Sequence, residues 1–106
     1  MREYLINIDL FCYRDPQIKK DYRLYVDDHL ITERSYIWVN KGDNRPQGQF
    51  IRENIWVELM PGIHSVRIES VDLHFKGFNF INLLVDKNAP SEIKTINNVT
   101  KTFLIN

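Results

Sequence analysis

Cysteine occurs once, at Cys12, which excludes an intrachain disulfide and any multi-cysteine zinc site. Neither sign of charge is in excess: fourteen Lys and Arg offset fourteen Asp and Glu, for a formal net charge of +0. A nucleic-acid partner is not expected of such a balance, because binding to phosphate rests on basic side chains that displace its counterions. Long apolar runs are missing as well. No window approaches the roughly 20 apolar residues of a membrane helix, so no membrane insertion is expected. Asn7 and Asp9 break the apolar run nearest the start, so no secretion signal is expected. There is no Gly-x-Ser-x-Gly elbow, no phosphate-binding glycine loop and no His-Glu-x-x-His pair. The chain is therefore expected to be no enzyme and to need no cofactor.

Its 106 residues suit one domain, 1–106, with a single core. A hydrophobic alternation of period two recurs along it, the signature of half-buried strands. From Tyr4 to Tyr13, Tyr4, Ile6, Ile8, Leu10 and Cys12 fall on one side and Leu5, Asn7, Asp9, Phe11 and Tyr13 on the other. Cys12 thus reads as a small buried hydrophobe. Asp15-Pro16 offers a cap and a first helical position, which predicts one helical turn over Pro16–Lys20. Tyr22, Leu24 and Val26 alternate with Arg23 and Tyr25, and Asp27-Asp28-His29 follows as a tight turn whose aspartates tolerate positive φ. Leu30–Val39 reads as a third strand with Ile31, Ile37 and Val39 opposite Arg34, Tyr36 and Trp38, and Asn40–Gln49 as an exposed loop.

The densest pattern is Ile51–Ser70. Ile55, Val57 and Leu59 alternate, Met60-Pro61-Gly62 interrupts, and Val66 and Ile68 resume. This predicts an antiparallel hairpin closed by a type II turn at Pro61-Gly62. The buried parity changes between Ile68 and Val71, as when a strand passes through a bulge or corner into another sheet. Phe78–Val85 is a dense apolar run, expected to be buried on both faces. Short closing strands are expected over Ile93–Ile96 and Thr102–Ile105. Seven or eight strands at about ten-residue spacing make an all-β fold, a single antiparallel β-sandwich of jelly-roll or immunoglobulin-like type.

Large rings fall opposite the aliphatic set at Phe11, Tyr13, Tyr25, Tyr36, Trp38 and Trp56, with Arg23, Arg34 and Arg52 at matching parity. Were the strands neighbours, rings and guanidinium groups would share one outer face. Such a face serves a protein partner or a sugar ring; alternatively the rings form a second buried layer. The candidate binding set is Tyr25, Arg34, Tyr36, Trp38, Arg52 and Trp56.

His29, His64 and His74 are scattered and read as structural or surface residues, not metal ligands. Asp15, Asp21, Asp27, Asp28, Asp43 and Asn44 lie near turns, without a calcium-loop motif. Glu58 and Glu69 would face each other across the predicted hairpin, which alone is no glycosidase signature.

Two segments carry a resemblance. IWVELMPGIHSVRI, Ile55–Ile68, resembles the strand, Pro-Gly-x-His, strand corner of carbohydrate-binding β-sandwich modules, including the xylan-binding type. YRLYVDDHLITERSYIW, Tyr22–Trp38, resembles their x-Tyr-Val-Asp-Gly-x-Leu hairpin, with Asp28 standing where glycine is usual. No sugar- or calcium-binding residue carries over position by position. The whole chain is similar to short β-proteins of contractile-tailed phages, particularly cyanophages. That likeness implies a virion or virion-associated protein, found in the virion or the host cytoplasm, that docks on a protein scaffold or self-associates. The carbohydrate-module likeness implies glycan recognition by the same rings.

Overall fold

The computed structural model describes residues 1–13, 19–37, 48–71 and 77–106. Its eight strands are β1 (Arg2–Tyr13), β2 (Lys19–Val26), β3 (His29–Ile37), β4 (Gly48–Leu59), β5 (Gly62–Ser70), β6 (Phe78–Val85), β7 (Ser91–Asn97) and β8 (Thr100–Ile105). They form two antiparallel sheets, one of three strands in the order β4-β1-β6 and one of five in the order β3-β2-β5-β8-β7. The sheets pack face to face as a β-sandwich, with no helix among the described residues.

The alternation of β1 sets the interior. Ile6, Ile8, Leu10 and Cys12 are buried, and Ile55, Val57 and Leu59 on one side and Phe80, Leu83 and Val85 on the other extend the same layer. The facing sheet supplies Tyr22, Leu24, Val26, Val66, Ile68, Phe103 and Ile105. Burying a side chain of this size contributes roughly 1.5–3 kcal/mol, so these residues fix which side of each strand faces inward.

The predicted β4–β5 hairpin is not what forms. β4 pairs with β1 in the three-stranded sheet, whereas β5 pairs with β2 and β8 in the other. Two alternating segments joined by a short link each declare a buried face, but two faces that bury against each other satisfy that pattern as well as two strands side by side. Met60-Pro61 is thus a corner between sheets, and Gly62, with φ of 131°, enters β5 opposite Ile105 and forms no type II turn. Glu58 stands opposite Glu3 and Glu69 opposite Arg23, so the two carboxylates do not meet across a hairpin.

The chain does change sheets between β5 and β6. The residues between them, 72–76 with Leu73, His74 and Phe75, lie outside the described residues, as do 38–47, most of the predicted loop. Gly48 and Gln49, assigned to that loop from sequence, open β4 instead. Lys19 and Lys20 belong to β2, not to a helical turn, and the rest of the predicted turn lies outside the described residues. Asp27 and Asp28 adopt φ of 51° and 64° between paired Val26 and His29, the doubly left-handed two-residue turn that suits strand twist.

β6 also departs from expectation. Its register against β1 slips so that Asp9 faces Asn82 and Leu10 faces Phe80, leaving Ile81 as an extra, bulged residue. Phe78 and Phe80 point inward before the bulge and Leu83 and Val85 after it, while Ile81 is exposed. One bulge changes the inward parity, so a strand buried on a single face reads as a dense apolar run.

Gly48 shows why glycine opens β4. A Cβ there would lie 2.2 Å from the Cys12 carbonyl oxygen and 2.6 Å from the Phe11 ring. The oxygen belongs to strand backbone and cannot step aside. Gly48→Ala is expected to destabilise the fold by about 1–3 kcal/mol, read as a lower urea midpoint at unchanged slope.

Candidate functional site

The two outer faces differ in chemistry. On the five-stranded sheet, the Arg67 guanidinium lies 4.1 Å from the centroid of the Tyr25 ring, whose hydroxyl donates to Glu69 at 3.2 Å. Glu69 also pairs with Arg67 at 2.8 Å and Arg23 at 3.7 Å, and Arg23 reaches Glu33 at 3.6 Å. This face is a charged lattice whose members satisfy one another.

The three-stranded sheet presents rings. The register of β1 against β4 sets Leu5 beside Trp56, Asn7 beside Asn54, Asp9 beside Arg52 and Phe11 beside Phe50, all on the outer side. Phe50 is 75% exposed and Trp56 62%, and Tyr13 and Ile81 are exposed as well. Phe11 holds Phe50 and Tyr13 edge-on, with ring centroids 5.0 and 4.9 Å away. The six residue steps from Phe50 to Trp56 place the two apolar ends about 20 Å apart at strand rise.

Between these ends runs a polar band. Arg52 makes a two-pronged pair with Asp9, 2.7 Å from Nε to Oδ1 and 3.1 Å from Nη2 to Oδ2, and Asn7 donates to Asn54. The hydrogen bond and the charge of Asp9 raise the Arg52 pKa further. A shallow depression beside Trp56 is lined by Leu5, Asn7, Arg52, Asn54, Leu84 and Lys87. A second, beside Phe50, is lined by Asp9, Ile51, Arg52, Ile81 and Asn82.

The six residues singled out from sequence do not form one site. Arg52 and Trp56 share the ring-bearing face. Tyr25 stands on the outer face of the other sheet. Arg34 lies opposite Tyr22, on the inward side of edge strand β3, and its Nε donates across to Glu53 of the facing sheet at 2.9 Å. Aliphatics at Ile31 and Ile37 suggested the reverse orientation, but an extra residue at Ile31 breaks the alternation of β3, and Ile31 is exposed. The side chain of Tyr36 and all of Trp38 lie outside the described residues. Phe50, Leu5, Leu84 and Ile81 were missed. Phe50 was legible, since it shares even parity with Arg52 and Trp56.

Glu53 ties the sheets together. The buried Tyr22 hydroxyl donates to its Oε1 at 2.6 Å while Arg34 engages Oε2. Burial first, and then this bond to Glu53, push the Tyr22 pKa well up, so the hydroxyl remains a donor. Buried Lys101 gives its Nζ to Thr95 Oγ1 at 2.7 Å, and burial lowers its pKa.

His64 fastens the corner that ends β4. Its Nδ1 lies 2.6 Å from Asp27 Oδ2 and its Nε2 2.6 Å from the Met60 carbonyl oxygen. Both partners only accept, so the arrangement is satisfied at both ring nitrogens when the ring carries two protons, as an imidazolium does. Burial works against that charge, but the hydrogen bonds to Asp27 and Met60 and the Asp27 charge outweigh it, leaving the pKa raised. Among the other turn acids, Asp27 also accepts from the Ser65 amide and Asp21 from Ser35, while Asp15, Asp43 and Asn44 lie outside the described residues. Among the described residues no cluster of His, Cys, Asp and Glu converges as a metal site.

No family model, curated protein or solved structure matches the chain.

A histidine whose folded pKa exceeds its unfolded value of 6.5 stabilises the fold fully below that value, and the contribution is lost as pH rises through the folded pKa. The urea midpoint is expected to fall across that interval, and His64→Gln to flatten the fall. Equal pH slopes for the two proteins would show that His64 does not bear the charge.

Proposed function

We propose that the chain is a non-catalytic binding and assembly module that docks on a larger protein scaffold through the outer face of its three-stranded sheet. One observation carries this reading: Phe50 and Trp56 stand 75% and 62% exposed on a face whose central charges, Asp9 and Arg52, neutralise each other. Exposed apolar patches mark interaction surfaces, and a neutral pair enters an interface at lower desolvation cost than a lone charge. Aromatic anchors flanking a satisfied polar band match the composition of protein interfaces. A phage particle, to which the sequence resemblance points, is the scaffold that fits this role, with the chain as a virion component.

The second reading is a glycan-binding module. It is favoured by the depression beside Trp56, where a ring plane adjoins the amides of Asn7 and Asn54 and the cations of Arg52 and Lys87. Sugar recognition needs such a plane flanked by hydrogen-bonding groups.

The two readings part on the Phe50→Ala, Trp56→Ala double variant, with Tyr25→Ala on the opposite face as control. Both rings are exposed, so the melting temperature should change little. Docking predicts loss of co-purification with the particle, by about thirtyfold or more in affinity, while the control binds normally. Loss of retention on a xylan gel with particle binding intact would favour the glycan reading. Unchanged behaviour in both assays would remove this face from the function.

A further inference from the structure

Two open sheets leave four edge strands, β4 and β6 in one and β3 and β7 in the other. An edge offers unpaired N–H and C=O groups to any strand that approaches, and folded proteins interrupt edges with bulges or covering groups. Three of the four edges here are interrupted. On β6 the amides of Phe80 and Val85 donate to the carbonyls of Asn98 and Asn88 at 2.7 and 2.8 Å, and the Leu83 amide donates to the Asn82 side chain at 3.0 Å. β7 breaks register twice against β8, with Glu92 at φ of 50°. β3 carries the extra residue Ile31.

Among the described residues, β4 has no such device. Its twelve residues run against β1 without a register shift, contain no proline and hold no positive φ. Which of its main-chain groups are open follows from β1. The Leu5 carbonyl accepts from the Asp86 amide and the Tyr13 amide donates to the Gly77 carbonyl, so odd residues of β1 face β6 and even residues face β4. The even residues lie opposite Gln49, Ile51, Glu53, Ile55, Val57 and Leu59. Strand geometry therefore turns the N–H and C=O groups of Phe50, Arg52, Asn54, Trp56 and Glu58 to the open edge. None of these groups has a main-chain partner among the described residues. Among the described residues, the bond from Arg34 to β4 goes to the Glu53 carboxylate.

The geometry points to a second copy of this chain as the strand that fills this edge, β4 pairing antiparallel with β4 about a two-fold axis at Ile55. Charge selects the occupant and the register. With the axis at Ile55, Arg52 faces the partner's Glu58 and Glu58 the partner's Arg52, while Asn54 faces the partner's Trp56. No like charges oppose each other. An axis at Arg52 or Glu53 would set each of those charges against its own copy, which destabilises a strand pair. The chosen register matches outward main-chain groups on both sides and joins the sheets of two protomers into one of six strands. Two ring-bearing faces then lie side by side. This pairing uses main chain and the Arg52–Glu58 charges, and goes beyond the docking role of Phe50 and Trp56.

Sedimentation of the purified chain over a concentration series is expected to show a dimer. In the same series, hydrogen exchange at the Arg52, Asn54 and Trp56 amides should slow as dimer forms. Arg52→Glu and Glu58→Arg each place like charges opposite one another twice in a homodimer, and each should weaken dimerisation about tenfold or more. Mixing the two variants restores opposite charges at both positions, so a mixed dimer should form, which a misfolded variant would not do. A chain that stays monomeric at about 1 mM would overturn the proposal. So would a dimer whose β4 amides exchange freely, or charge variants that self-associate as tightly as the parent. The Phe50→Ala, Trp56→Ala protein should still dimerise, so failure of docking and failure of edge pairing are read separately.

Discussion

Burial of one side of β1 is the constraint from which the rest follows. Ile6, Ile8, Leu10 and Cys12 have almost no solvent contact, and a period of two leaves no freedom for the residues between them. A slip of one position would drive Asp9 and Asn7 into the core and lift four apolar side chains into water. The outward placement of Leu5, Asn7, Asp9, Phe11 and Tyr13 is therefore enforced by the interior. β4, in unbroken register beside it, inherits the same division, which puts Phe50, Arg52 and Trp56 on the outer face.

The sandwich is locked at its rim by polar contacts as well as by its core. Glu53 lies on the inward side of β4 and receives Tyr22 and Arg34 from the other sheet. A carboxylate that is 13% exposed needs such partners, and satisfying it ties the sheets at the edge where apolar packing thins out. At the end of the same strand, His64 joins the Met60 carbonyl to the Asp27 turn. β4 is thus held by its neighbour β1, by a cross-sheet carboxylate and by a fastened corner, which makes its outer face a rigid platform.

The faces also differ in how their charges are spent. Tyr25, Arg67, Glu69 and Arg23 on the wider sheet bind one another and remain solvated. On the narrower sheet Asp9 and Arg52 form a single neutral pair between two apolar ends. Surface ion pairs contribute at most about 1 kcal/mol each to stability, so this difference bears on what each face can contact far more than on folding.

Sequence alone determined that the chain is an antiparallel sandwich, which residues of β1, β2, β4 and β5 face inward, and that the Asp27-Asp28 pair makes a left-handed turn. These depend on periodicity and turn chemistry, which act within a few residues of chain. Tertiary structure decided which strands are neighbours. Alternation records only that a strand has a buried side, so β4 and β5 read as a hairpin although they lie in opposed sheets, and the β6 bulge at Ile81 read as burial on both faces. For the same reason Tyr25, Arg34 and Trp56 shared a parity label in sequence yet stand on three different surfaces. The parity of a residue is local, but the sheet that carries it is set by long-range pairing, and only that pairing brought Phe50, Arg52 and Trp56 together with Leu5 and Asp9.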